Sequence, residues 1–453
     1  MAWRAALLAV LVLLATGVNA VHGAVAAGPS ARARPVGAPD FNTPAAQLRV
    51  TLGRVLAEHA FLLGEAMRAG LGEASGFQAA GAALEQNSAE LEGLMADVYG
   101  HDVASRFGEL WRRHVAYLVD YTRALAEDDQ AAQDLAEHQL HDYVTEFSAF
   151  LASANPNLPV SALERLVGEH VQQLEAIAAF DAGEYAEAYP TVRETYAHMF
   201  VIADGLSEAM ALQFPERFTG KSVAYSPAGD LRLNLDRLLG EHTMLAGTAM
   251  RAGASDADDR AAAEEALAAN TDALGAAVTA IYGEEAGAAF VDLWSVHTAA
   301  YLEYVASVQS SDVTGRDEAL TALGRYRDEF SAFLADANPQ LSAQALREML
   351  GHHTDQLVRQ VDAYSAGDHR EAYALAREAF SHAFAMGDAL ALAIAEQFPD
   401  RFPDAATRGG WDTSRMGAIL VGFAALAMAG QEVSRRRRRT QAEPWPVMRA
   451  SRT

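Results

Sequence analysis

The chain has 453 residues, 51% of them hydrophobic, with 60 acidic against 35 basic side chains and no cysteine. That length allows large cores, and the missing thiols exclude disulfides, zinc–thiolate centres and cysteine catalysis. Residues 40–407 carry 57 acidic against 23 basic side chains, or −34 of a net −25; such a body repels nucleic acid and anionic membrane, and either attracts cations or is simply kept soluble by its charge.

Residues 1–20 read as a secretory signal peptide. Arg4 precedes an apolar stretch from Ala5 to Ala15, and Val18-Asn19-Ala20 offers small residues for cleavage. Residues 21–44, with GPSARARPVGAPD, read as a flexible spacer.

From residue 45 the chain is written twice. LRVTLGRVLAEHAFLLGEAMRAGL at 48–71 matches LRLNLDRLLGEHTMLAGTAMRAGA at 231–254, an offset of 183 that becomes 184 after one inserted residue. The copies span 45–215 and 231–402, joined by a linker at 216–230. In copy one, apolar residues recur at three and four, so helices are expected near 45–70, 76–98, 102–127, 129–153, 160–182 and 184–213. Gly70, Gly100, the acidic 127–129, NPNLP at 155–159 and Asp181-Ala182-Gly183 mark the breaks, and copy two has the same punctuation. Ser161 and Ser342 are positioned to cap helices. The fold class is all-α: two tandem homologous up-and-down helical bundles of about six helices each, plus a C-terminal transmembrane helix.

After a second linker at 403–413, an apolar run from Met416 to Gly430 is followed by Arg435–Arg439. At about 1.5 Å per helical residue it just spans a thin bilayer. Residues 414–434 are therefore expected to anchor the body outside the cell, with a basic cytoplasmic tail at 435–453. The tail resembles Gram-positive surface sorting signals but lacks an LPxTG-type motif before the apolar run.

The chemistry lies in the histidines. Eight of the 14 fall into matched pairs: His59 with His242, His114 with His297, His170 with His353, and His198 with His382. Val55, Leu56, Leu62 and Leu63 surround His59 at helical spacing, and Leu110, Trp111 and Leu118 surround His114, so these rings point inward. Each lies near mid-helix, and midpoints of an up-and-down bundle share one level. Asn87 and Asn270 hold the same kind of place. Glu194 and Glu378 lie one turn before His198 and His382. Convergent neutral imidazoles with a carboxylate suit a transition metal (copper, zinc or iron). The expected ligands are His59, His114, His170, His198 and Glu194 in copy one, and His242, His297, His353, His382 and Glu378 in copy two. No HExxH or Glu-x-x-His motif is present.

A lone inward histidine is usually a satisfied core residue, and a hydrogen-bonded polar layer fixing helix register explains the set without any metal. Two functions thus stand open. One is a cell-surface metal-binding protein with a buried site per bundle; the other is a structural or partner-binding module. An oxidase-like enzyme would further need an open coordination position. Trp111, Tyr121 and Phe107 with their copy-two matches read as packing, and Met67 and Met250 as core filler.

The strings AEHAFLLGEAMRAG, VYGHDVASRFGELWRRHVAYLVDYT and HMFVIADGLSEAMALQFPERF resemble an uncharacterised family of secreted or anchored, often duplicated all-helical proteins of Gram-positive bacteria. The resemblance covers nearly all of 45–402. It implies a helical fold and a surface location, and no catalytic residues; no protein partner is implied.

Overall fold

The structure, a computed structural model, describes residues 39–403 apart from 73, 173 and 174. The expected signal peptide, nearly all of the spacer, the anchor at 414–434 and the basic tail lie outside the described residues. Among the described residues every regular element is a helix, and none is long and apolar enough to cross a membrane.

Copy one comprises α1 (Pro44–Gly70), α2 (Ala74–Tyr99), α3 (His101–Ala126), α4 (Gln130–Ala154), α5 (Val160–Gln172), α6 (Glu175–Asp181) and α7 (Tyr185–Gln213). A single turn of helix, α8 (Lys221–Ala224), lies in the linker. Copy two comprises α9 (Pro227–Ala254), α10 (Arg260–Tyr282), α11 (Glu284–Gln309), α12 (Val313–Ala337), α13 (Ala343–Ser365) and α14 (His369–Gln397).

Local chemistry sets these boundaries. Thr43 and Ser226 accept from the backbone amides of Ala46 and Gly229, and each is followed by proline at the first helical position. Asp129, Asp312 and Asp368 cap α4, α12 and α14 in the same way. Ser342 caps α13 through Ala345, as expected. Ser161 does not cap: α5 already starts at Val160, so this hydroxyl sits inside the first turn. Gly100 and Gly283 separate successive helices at φ 87° and 95°, a conformation open to glycine and costly for other residues.

In copy two each helix packs on the next, as do α1 to α5 in copy one, and the first and last helices of each copy, α1 with α7 and α9 with α14, pack together. The short connectors make neighbours antiparallel. Helices α1 and α9 are buried along most of their length, on several faces. They also lean on each other, while α14 packs on α2 and α7 packs on α10. The cores consequently merge: one cluster joins Leu62, Met67 and Leu118 to Leu245, Met250 and Tyr304. The described residues form one compact unit.

The join between copies repeats itself. Arg377 on α14 donates to both oxygens of Glu58 on α1, at 3.0 and 3.0 Å. The matched Arg193 on α7 donates to both oxygens of Glu241 on α9, at 2.9 and 3.3 Å. Glu58 and Glu241 are equivalent positions, as are Arg193 and Arg377, so one contact is made twice in opposite senses. Asn87 and Asn270 each add an amide bond to the same carboxylates, at 2.8 and 2.8 Å. Near the axis of this pseudo-symmetry, the equivalent Phe200 and Phe384 stack with centroids 6.3 Å apart.

Candidate metal centre

Three helices bring three imidazoles of copy one together: His59 from α1, His114 from α3 and His170 from α5. One ligand nitrogen from each lies within 4.8 Å of the others. His59 and His114 are 0% and 2% exposed, and His170 is partly buried. Their positions follow from the leucine- and valine-rich faces on which they stand, which turn toward the core.

The closest approach is between His59 Nε2 and His114 Nε2, at 3.2 Å. Two nitrogens bound to one tetrahedral metal at about 2.0–2.1 Å stand about 3.3 Å apart. The pair is therefore already spaced as two ligands of one ion. Nδ1 of His59 meets no hydrogen-bond partner.

Aromatic rings wall the cluster. Trp111 lies against both His59 and His114, with centroids 4.5 and 4.6 Å away. Tyr143 stacks on His114 at 5.1 Å. Burial in these surroundings disfavours the charged imidazolium. It pushes the His59 pKa far down, helped by the neighbouring His114 and His170. It pushes His114 down to about 3, with His170 adding to the effect and the Trp111 carbonyl one turn earlier opposing it. Both rings are neutral at pH 7 and hold a lone pair for a cation.

Copy two repeats the core of this arrangement. His242 Nε2 and His297 Nε2 are 3.3 Å apart. Trp294 lies 4.8 and 4.5 Å from the two rings, and Tyr326 stacks on His297 at 4.5 Å. His353 joins His242 at a centroid distance of 6.0 Å. Burial lowers the pKa of all three, to about 3 for His297 and His353. Among the described residues, however, the copy-one trio is the group whose ligand atoms all fall within 4.8 Å.

The remaining expected ligands stand apart. His198 Nε2 bonds the Leu166 carbonyl at 2.9 Å, and His382 Nε2 bonds the Met349 carbonyl at 3.1 Å. Each thus ties its helix to the backbone of α5 or α13, one turn before His170 or His353. Glu194 and Glu378 are exposed. The cause is that α7 and α14 turn His198 and His382 toward the backbone of a neighbouring helix, which takes up their Nε2 atoms. Two of the buried carboxylates, Glu58 and Glu241 at 1% and 4% exposure, adjoin the histidines in sequence and are not among the expected site residues. Their signal was present, because each immediately precedes a matched histidine. Tyr143 and Tyr326 were likewise matched and overlooked.

The arrangement can hold a transition metal ion on three imidazoles, His59 and His114 of them neutral at pH 7, in an aromatic-walled pocket. No family model, curated protein or solved structure matches the chain, so this reading rests on its own geometry.

Proposed function

We propose that the chain is a transition-metal-binding protein of the outer cell surface, with His59, His114 and His170 as the ligands of one ion and His242, His297 and His353 as a related second site. The observation that carries this reading is the 3.2 Å approach of two neutral, buried Nε2 atoms with a third imidazole within 4.8 Å. Three imidazoles and no carboxylate in the cluster suit copper, zinc or iron, in the order of softness rather than charge. The apolar run at 414–434 would hold the body outside the membrane, and storage, sensing or delivery of the ion would follow from that location.

The other reading also has an observation behind it. A 3.2 Å spacing is equally a hydrogen bond between two neutral imidazoles of opposite tautomer. Metal content separates the two. The untagged chain is loaded in turn with copper, zinc and iron, washed, and weighed by native mass spectrometry. Retention of one metal by copy one, abolished by His114→Ala, supports the site. An unchanged mass with every metal, in a folded chain, makes the histidines a core polar layer.

A further inference from the structure

The two copies differ beside their histidines. In copy one, His114 and His170 line a cavity of about 90 Å³. Phe61, Leu118, Ile177 and Phe180 supply apolar wall, and Met244 and Leu245 close it from copy two. Gly64 of α1 lies on this wall, and a Cβ placed there would meet no atom within 4 Å outside its own turn of helix. Its counterpart in copy two is Gly247. A side chain there would meet the Gln360 amide nitrogen at 3.1 Å. Gln360 is 5% exposed and its Oε1 accepts no hydrogen bond. The turns that close α6 and α13 match at an offset of 184, Ala182 bonding back to Ala178 as Ala366 does to Asp362, so Ile177 of the cavity wall stands where Val361 does and not where Gln360 does. Beside Gly247, Gln360 thus fills a space that stays open beside Gly64.

The charged groups on the cavity wall cancel. Arg68 pairs with Glu65 at 3.2 Å and Arg193 with Glu241 at 2.9 Å. No net charge remains to hold an ion there, and burying an unpaired one would be costly. Liquid water occupies about 30 Å³ per molecule, so the space suits a molecule of a few heavy atoms.

We infer that copy one alone is a receptor for a small uncharged molecule, of the size of dioxygen, seated against His114 and His170, while Gln360 fills the equivalent place in copy two. The role of that molecule as an added ligand on a metal rests on the proposed function; the cavity itself does not. Sites that keep an open position are the ones that support chemistry, and closed ones are structural. The copies would then have divided these roles.

Xenon is a suitable probe, because it is uncharged and enters dry apolar cavities. The metal-free full chain is titrated with xenon and followed by xenon NMR and by the imidazole resonances of His114 and His170. One xenon per chain is expected, shifting those two rings. Gln360→Ala should create a second site in copy two. Gly64→Leu fills the space in copy one, from a position where a Cβ meets no atom outside its own turn of helix, and should abolish binding in a chain of wild-type helicity. Absence of xenon binding, or binding that Gly64→Leu leaves unchanged, overturns the inference. Xenon binding in a chain that retains no metal leaves the cavity standing and removes the metal reading instead.

Discussion

Truncating Arg377 tests how the two copies are held together. Its guanidinium spans both oxygens of Glu58, a carboxylate 1% exposed whose other partner is the Asn87 amide. In Arg377→Ala, Glu58 keeps its charge and its burial but loses its cation. Breaking a buried pair from one side costs about 3–5 kcal/mol, more than the pair itself contributes. Arg377 is 19% exposed, so water reaches the gap and the lower figure applies. Spread over roughly 365 residues at about 2.1 cal/mol/K each, a loss of 3 kcal/mol lowers the melting temperature by only about 4 °C. Urea unfolding is therefore the better assay. Adding Glu58→Gln removes the stranded charge while keeping an acceptor for Asn87, and the double variant should recover at least 1 kcal/mol over Arg377→Ala. The exposed pair Arg359–Glu371 is the control, at 52% and 49% exposure; its loss should cost at most about 0.5 kcal/mol. If Arg377→Ala costs no more than Arg359→Ala, or if Glu58→Gln adds its own loss to it, the account of the join is wrong.

Three further outcomes are expected. The buried imidazoles have folded pKa values below their usual 6.5, at about 3 for His114, His297 and His353. The unfolded chain therefore binds more protons below pH 6.5, and the stability these rings give is complete above that pH and lost as it falls toward 3. Each contributes a slope of up to about 1.4 kcal/mol per pH unit in that window, so urea midpoints of the metal-free chain should fall from pH 7 to 5, less steeply in His114→Phe. His198→Ala should leave copy-one metal retention unchanged while His114→Ala abolishes it, since His198 bonds the Leu166 carbonyl; equal losses in native mass spectrometry would return His198 to the ligand set. Ser342→Ala removes a helix cap and should cost about 1 kcal/mol in urea unfolding, whereas Ser161→Ala, inside its helix, should cost under about 0.5 kcal/mol.

Much of this architecture is legible from residue order. The 183-residue offset, the three-and-four periodicity and the glycine stops locate the helices to within a few residues in most cases, because those signals are local. The inward facing of His59, His114 and His170 follows from their apolar neighbours on the same helix. What neighbours on the same helix cannot report is how a second helix is rotated against the first. His198 sits near the middle of α7 and still meets a backbone carbonyl. The same limit hides the partners of Glu58 and Glu241, which lie 319 and 48 residues away in the chain. It also hides the core that the two copies share, since each copy taken singly has the pattern of a complete bundle.

The doubled contact between Glu58–Arg377 and Arg193–Glu241 has a consequence beyond stability. A surface that meets its own equivalent about a two-fold is the isologous interface made by identical subunits. A single copy on its own would leave Glu58 without its cation and Arg193 without its carboxylate, and two such chains would cure the defect mutually. Joining them in one polypeptide replaces a concentration-dependent encounter with a tethered one, at an effective concentration of about millimolar for a short linker. It also ends the obligation of a homodimer to make every change on both sides at once. Gln360 against Gly247 with open space beside Gly64 is a combination that identical subunits cannot have, and the fused chain has it.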